Sequence, residues 1–94
     1  MALIHIDLTL SGSAELLYST RKGIRQLIVQ NPTGNSAIYI GGSTVSATSY
    51  GQTVAAGAAS TVLGPFSGDA PVNTSEVYVI GTLNDVIHAL LITH

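Results

Sequence analysis

The 94-residue chain has no cysteine and no tryptophan. Without cysteine there is no disulfide framework and no thiolate metal site. A small domain that lacks such staples must be well packed or must lean on neighbours. Charge is scarce too: 9% of residues are Asp, Glu, Lys or Arg, against about 25% in ordinary soluble domains. The formal net charge is −2 and only three residues are basic. Bulk electrostatics therefore exclude a nucleic-acid binder, which would be strongly basic. Disorder is excluded because 46% of residues are hydrophobic, whereas disordered chains combine low hydrophobicity with high charge. No apolar run approaches the roughly 20 residues of a membrane-spanning helix. The opening MALIHIDLTL has no positive n-region, and His5 and Asp7 interrupt it. That predicts no signal peptide and a chain that folds where it is made.

What the chain has in plenty is hydroxyl: Ser and Thr together make twenty residues. A neutral, hydroxyl-rich surface has little repulsion to keep copies apart. It suits a protein that lives inside an assembly. The length is that of one domain, residues 1–94, burying roughly 60–70% of the surface of the unfolded chain.

Hydrophobic residues recur with a period of two almost everywhere, which is the signature of strands. In LIHIDLTL, Ile4, Ile6, Leu8 and Leu10 fall on one face and His5, Asp7 and Thr9 on the other. AELLYS is either a short strand or one helical turn. IRQLIVQN is apolar on both faces, Leu27 and Val29 with Arg25 on one and Ile24 and Ile28 on the other. Such a strand is expected at the centre of a sheet covered on two sides. NPTGNS is dense in turn formers and leads to AIYI, so these two strands read as a hairpin. GGS bends the chain before the β-prone STVSAT, and short strands follow around Gly57. GPFSGDAPVNTS (64–75) is the longest irregular stretch. SEVYVIG alternates Val77 and Val79 against Tyr78 and Ile80. VIHALLIT sets Val86, His88, Leu90 and Ile92 against Ile87, Ala89 and Leu91. Seven to nine short strands with regular turn signals imply an all-β fold: a small β-sandwich, jelly-roll-like or immunoglobulin-like. The expected core comprises Ile6, Leu8, Leu27, Val29, Ile38, Ile40, Val79 and Leu90.

Candidate chemistry is sparse. His5, His88 and His94 form no pair at a spacing that makes a local metal motif. His5 and His88 could meet if their strands paired. A semi-buried, hydrogen-bonded His88 is the simpler reading, and neither a metal nor any other cofactor is expected. The carboxylates Asp7, Glu15, Asp69, Glu76 and Asp85 are scattered over separate elements. There is no G-x-S-x-G elbow for a serine nucleophile. No convergent set of polar groups suggests an enzyme. The three basic residues, Arg21, Lys22 and Arg25, fall within five positions. They are either a solvated turn or a contact with an acidic neighbour. Tyr39, Tyr50 and Phe66 are the candidate aromatic contacts.

The order RQLIVQNPTGNSAIYIGGSTVSAT, GQTVAAGAAS, EVYVIGTLNDVIHALL resembles a recurrent type of small tailed-phage virion protein. The matching residues are Gln30-Asn31, Tyr39-Ile40-Gly41, Val45, Gly57 and Tyr78. The resemblance implies a β-sandwich on the particle. It points first to a non-enzymatic capsid decoration (cement) protein that stabilises the assembled head by bridging capsid subunits. The alternative it carries is a head or tail fibre, or tail-tip, module that binds a host glycan or protein. The expected partners are further copies of the chain, as a homo-oligomer with a trimer favoured, and the major capsid protein or another virion protein. Nucleic acid and membrane are not expected partners. The expected location is the virion, after synthesis in the host cytoplasm.

Overall fold

Alternating apolar residues build nine strands in the computed structural model, which is described for residues 2–57, 60–66 and 72–93. They are β1 (Leu3–Thr9), β2 (Glu15–Leu16), β3 (Gly23–Gln30), β4 (Ile38–Gly41), β5 (Gln52–Val54), β6 (Thr61–Leu63), β7 (Val72–Asn73), β8 (Tyr78–Ile80) and β9 (Val86–Thr93). The only helical element among the described residues is a 3-10 turn at Thr74–Glu76. No helix there is long and apolar enough to cross a membrane.

Every ladder among the described residues is antiparallel. One sheet has the order β1-β9-β3-β6, with β7 also paired to β3; the other has the order β2-β8-β4-β5. Setting the two-residue β7 aside, this is the order of a jelly roll, a double-sheet sandwich. The chain is a long two-stranded ribbon. β1 pairs with β9, β2 with β8, β3 with β6 and β4 with β5. Wrapping the ribbon on itself then adds the β3–β9 and β4–β8 ladders. The immunoglobulin order is excluded, since its sheets group the strands differently.

The ribbon topology corrects the expected β3–β4 hairpin. β3 lies in the first sheet and β4 in the second, so NPTGNS carries the chain from one sheet to the other. The buried Asn31 sits at that crossing. Its amide Nδ2 donates to the carbonyls of Ser36 and Val54, each at 3.0 Å. Its Oδ1 accepts from Asn35 Nδ2 at 3.0 Å, and its backbone carbonyl accepts from Gly57 N–H at 2.8 Å.

The ribbon's tip is the loop between β4 and β5. STVSAT is therefore not a strand. The Ser46 hydroxyl accepts the backbone N–H groups of Thr48 (3.3 Å) and Ser49 (3.0 Å), and the Ser46 N–H donates to the Ser49 carbonyl at 2.8 Å. Short hydroxyl side chains compete with the β-ladder in this way. Val45 is buried beneath the tip. A Cβ on Gly41 would lie 3.1 Å from Val45 Cγ2, while one on Gly42 would meet open space. Only the first glycine is required by packing.

The core lies between the sheets: Ile6, Leu27, Val29, Ile87 and Leu91 from the first meet Ile38, Ile40, Val54 and Val79 from the second. Leu8 packs against this cluster half-buried. Leu90 is not in it. The inward residues of β9 are Ile87, Ala89 and Leu91; both of its faces are apolar, so alternation alone could not choose between them. The face assignment of β3 is also corrected. A register shift between Ile24 and Gln26 turns Ile24 inward with Leu27 and Val29 and leaves Arg25 exposed. Bulges re-aim side chains in this manner.

Candidate functional site

The outer face of the first sheet is where the fold and the composition disagree. β1 alternates so that Leu3, His5, Asp7 and Thr9 point away from the core. Register places them opposite Ile92, Leu90, His88 and Val86 of β9. The next strand over, β3, contributes Gln26, Ile28 and Gln30 opposite Ile92, Leu90 and His88. β6 adds Val62 opposite Ile28. One row across the face thus reads His5, Leu90, Ile28, Val62, and the row beside it reads Leu3, Ile92, Gln26. Leu3 is 69% exposed, Val62 50% and Val86 38%. An apolar stripe crosses the sheet, and no element among the described residues covers it.

Beside the stripe lies a polar cluster. His5 and Asp7 share a face because they are two residues apart on a strand. The β1–β9 register sets His88 directly across from Asp7. His5 Nε2 lies 2.9 Å and His88 Nδ1 2.6 Å from the same oxygen, Asp7 Oδ1. The hydrogen bond from His88, then that from His5, holds the Asp7 carboxyl below the usual carboxylate range. Next to the cluster is a shallow depression of about 190 Å³, lined by His5, Ile28, Gln30, Ser60, His88, Ala89 and Leu90. The sequence anticipated a hydrogen-bonded, semi-buried His88. It did not identify Asp7 as the shared partner of both rings. The signal lay in the i, i+2 spacing of His5 and Asp7 together with the pairing of the first and last strands.

The expected contact residues fall in other places. Arg21, Lys22 and Arg25 are exposed, and among the described residues none of them forms an ion pair. The backbone of Lys22 is tied to the 3-10 turn. Thr74, buried in the 3-10 turn, accepts from Lys22 N–H through Oγ1 at 2.9 Å and donates that hydroxyl to the Thr20 carbonyl at 2.7 Å. Its own N–H donates to the Lys22 carbonyl at 2.9 Å. Phe66 is not a projecting loop aromatic: it is half-buried against the core, with its N–H on the Arg25 carbonyl at 2.6 Å. Tyr39 and Tyr50 do meet, with ring centroids 4.8 Å apart and planes tilted by 46°. Tyr39 borders a depression of about 320 Å³ on the other sheet, with Gly12, Ser36, Ala47 and Thr82 among its neighbours. The basic trio, the tyrosine pair and the histidine cluster are therefore three separate features.

Comparison with known protein families, with curated proteins and with solved structures finds no match to this chain.

Proposed function

We propose that the chain is a non-enzymatic structural subunit that works by association, and specifically a phage capsid decoration protein that self-associates and bridges shell subunits. The observation that carries the associative part is the uncovered apolar stripe on the first sheet. β9 carries Val86, Leu90 and Ile92 on its outer face as well as Ile87, Ala89 and Leu91 on its inner one, as strands do when both faces are packed. β3 adds Ile28 beside Leu90, yet among the described residues only the inner face is covered. A second copy of the chain is the proposed cover. The stripe is nearly free of charge, with its titratable groups His5, Asp7 and His88 confined to one flank, so two copies can meet there without burying like charges. The phage head as the setting rests on the sequence resemblance. The jelly roll is consistent with it by analogy, being common in viral capsid proteins and also in lectins.

The proposed contact to the shell is the exposed trio Arg21, Lys22 and Arg25, in which Thr74 holds the Lys22 backbone and Phe66 N–H the Arg25 carbonyl. A site that spans two shell subunits exists only after assembly, and simultaneous contacts raise affinity through effective concentration. Binding should therefore be much stronger to assembled particles than to free shell subunits, and weaker when all three basic residues are replaced by Ala. Co-sedimentation with particles and with unassembled subunits tests this. Equal binding to both forms would overturn the bridging role.

One observation favours a second reading, a fibre or tail-tip module. The Tyr39–Tyr50 pair offers apolar ring faces with polar tips beside a shallow depression, an arrangement suited to a sugar ring. Loss of glycan binding in Tyr50→Ala, with particle binding absent in the unmodified protein, would favour that reading.

A further inference from the structure

We infer that His5, Asp7 and His88 form a binding site for one first-row divalent transition-metal ion of the zinc, cobalt or nickel type. Two imidazoles and one carboxylate present donor atoms that all lie within 4.8 Å of one another. A zinc-like ion holds imidazole nitrogen and carboxylate oxygen at about 2.0–2.2 Å. In a tetrahedral shell such bonds put the ligand atoms about 3.3–3.6 Å apart, so the widest spacing here must close by somewhat more than about 1 Å while the two short contacts to Asp7 open. The side chains have room to close in, since they are 72%, 55% and 45% exposed for His5, Asp7 and His88. Strand geometry does the positioning. β1 fixes His5 and Asp7 on one face, and the β1–β9 register fixes His88 opposite Asp7, so the three α-carbons belong to one rigid ladder.

The present hydrogen bonds are compatible with ligation. With Asp7 ionised, a neutral ring puts its N–H on the nitrogen that faces Asp7 Oδ1. To bind a metal through that nitrogen, the ring places its proton on the other nitrogen instead, so no net proton need leave. The donor set chooses the ion. Imidazole suits zinc, cobalt and nickel, whereas magnesium and calcium prefer sites made wholly of oxygen. Three protein ligands leave the remaining coordination positions to water, as in an open site. The ion would join residues 5 and 7 of the first strand to residue 88 of the last. The ligands converge only in the folded chain, so binding should raise the melting temperature by mass action. The inference does not depend on the decoration reading.

The test is isothermal titration of the untagged full chain with zinc chloride, repeated with cobalt chloride and read by visible absorption. One ion per chain is expected, with a rise in melting temperature and with no binding of magnesium or calcium under the same conditions. His5→Ala and His88→Ala should each weaken binding by more than the roughly 10–100-fold that loss of a ligand's own hydrogen-bond partner costs. Both side chains are substantially exposed, so the variants should keep the wild-type circular dichroism. His94→Ala, outside the described residues, should bind as wild type does. No zinc binding at sub-millimolar concentration would overturn the site and leave a plain His–Asp–His hydrogen-bond cluster. So would binding that survives the His5→Ala/His88→Ala double change, or that disappears with His94→Ala alone.

Discussion

Replacing Asn31 with Ala should be among the most damaging single changes outside the aliphatic core. The side chain is fully buried. It makes three hydrogen bonds at 3.0 Å, to the carbonyls of Ser36 and Val54 and from Asn35 Nδ2. Two of these join the end of β3 in the first sheet to the second sheet and the crossing segment. Each bond contributes about 0.5–1.5 kcal/mol net, and a buried group left without a partner costs about 1–3 kcal/mol. The Val54 carbonyl loses its Asn31 donor in a buried setting. The expected loss is about 2–4 kcal/mol, which for a chain of this length lowers the melting temperature by roughly 10–20 °C. Urea unfolding followed by circular dichroism measures it, and an unchanged m-value would show that the compactness of the two states is preserved. Asn31→Asp separates hydrogen bonding from packing. It keeps the volume but replaces the Nδ2 donor with an oxygen that faces two carbonyls, so it should cost at least as much as Ala. A loss below about 0.5 kcal/mol in Asn31→Ala, the scale of an ordinary surface change, would refute the reasoning. So would a neutral Asn31→Asp.

Three further outcomes follow from the packing and the cluster. Leu91→Ala should cost about 2–5 kcal/mol, as large-to-small core changes do, while Leu90→Ala on the outer face should cost clearly less in the monomer; denaturation of both at low concentration checks the order. Gly81→Ala should destabilise by about 1–3 kcal/mol through overpacking, because its Cβ would sit 2.6 Å from Leu10 Cδ1 and 2.9 Å from Ile38 Cγ2; a neutral melting curve would mean that these side chains move aside freely. The Asp7 carboxyl should titrate below the ordinary carboxylate range by carbon-13 NMR and rise towards it in His88→Ala. Because the folded value is the lower one, the stabilisation it brings is present above the unfolded value and lost as pH falls through the folded value; an unmoved midpoint in His88→Ala would deny the hydrogen bond.

Strand content was readable because the period of two survives in almost every element. The inward residues of β1, β4 and β8 follow directly from it. Alternation does not say which strand lies beside which. β3 and β4 look like a hairpin in one dimension, yet the ribbon's wrapping sends them to different sheets, and only the long-range ladders reveal this. Nor does alternation choose a face when both are apolar, which is why Leu90 could stand in for Leu91. The bulge at Arg25 and the Ser46-centred tip are local departures, each made by backbone or hydroxyl hydrogen bonds that leave no mark in hydropathy. The histidine cluster was half legible. His5 and Asp7 share a face by spacing, but the approach of His88 over 81 residues depends on the register of the first strand against the last.

The central claim is that the uncovered stripe on the first sheet is an interface between copies of this chain. Sedimentation velocity over a range of concentrations, comparing the unmodified protein with a Leu3→Glu/Val62→Glu variant, tests it most directly. Both side chains are at least half exposed, so the monomer should fold unchanged by circular dichroism. The account predicts an oligomer for the unmodified protein and a monomer for the variant, because two carboxylates would be carried into an apolar contact. A monomer for the unmodified protein at all concentrations, or an oligomer that the double change leaves intact, would contradict it.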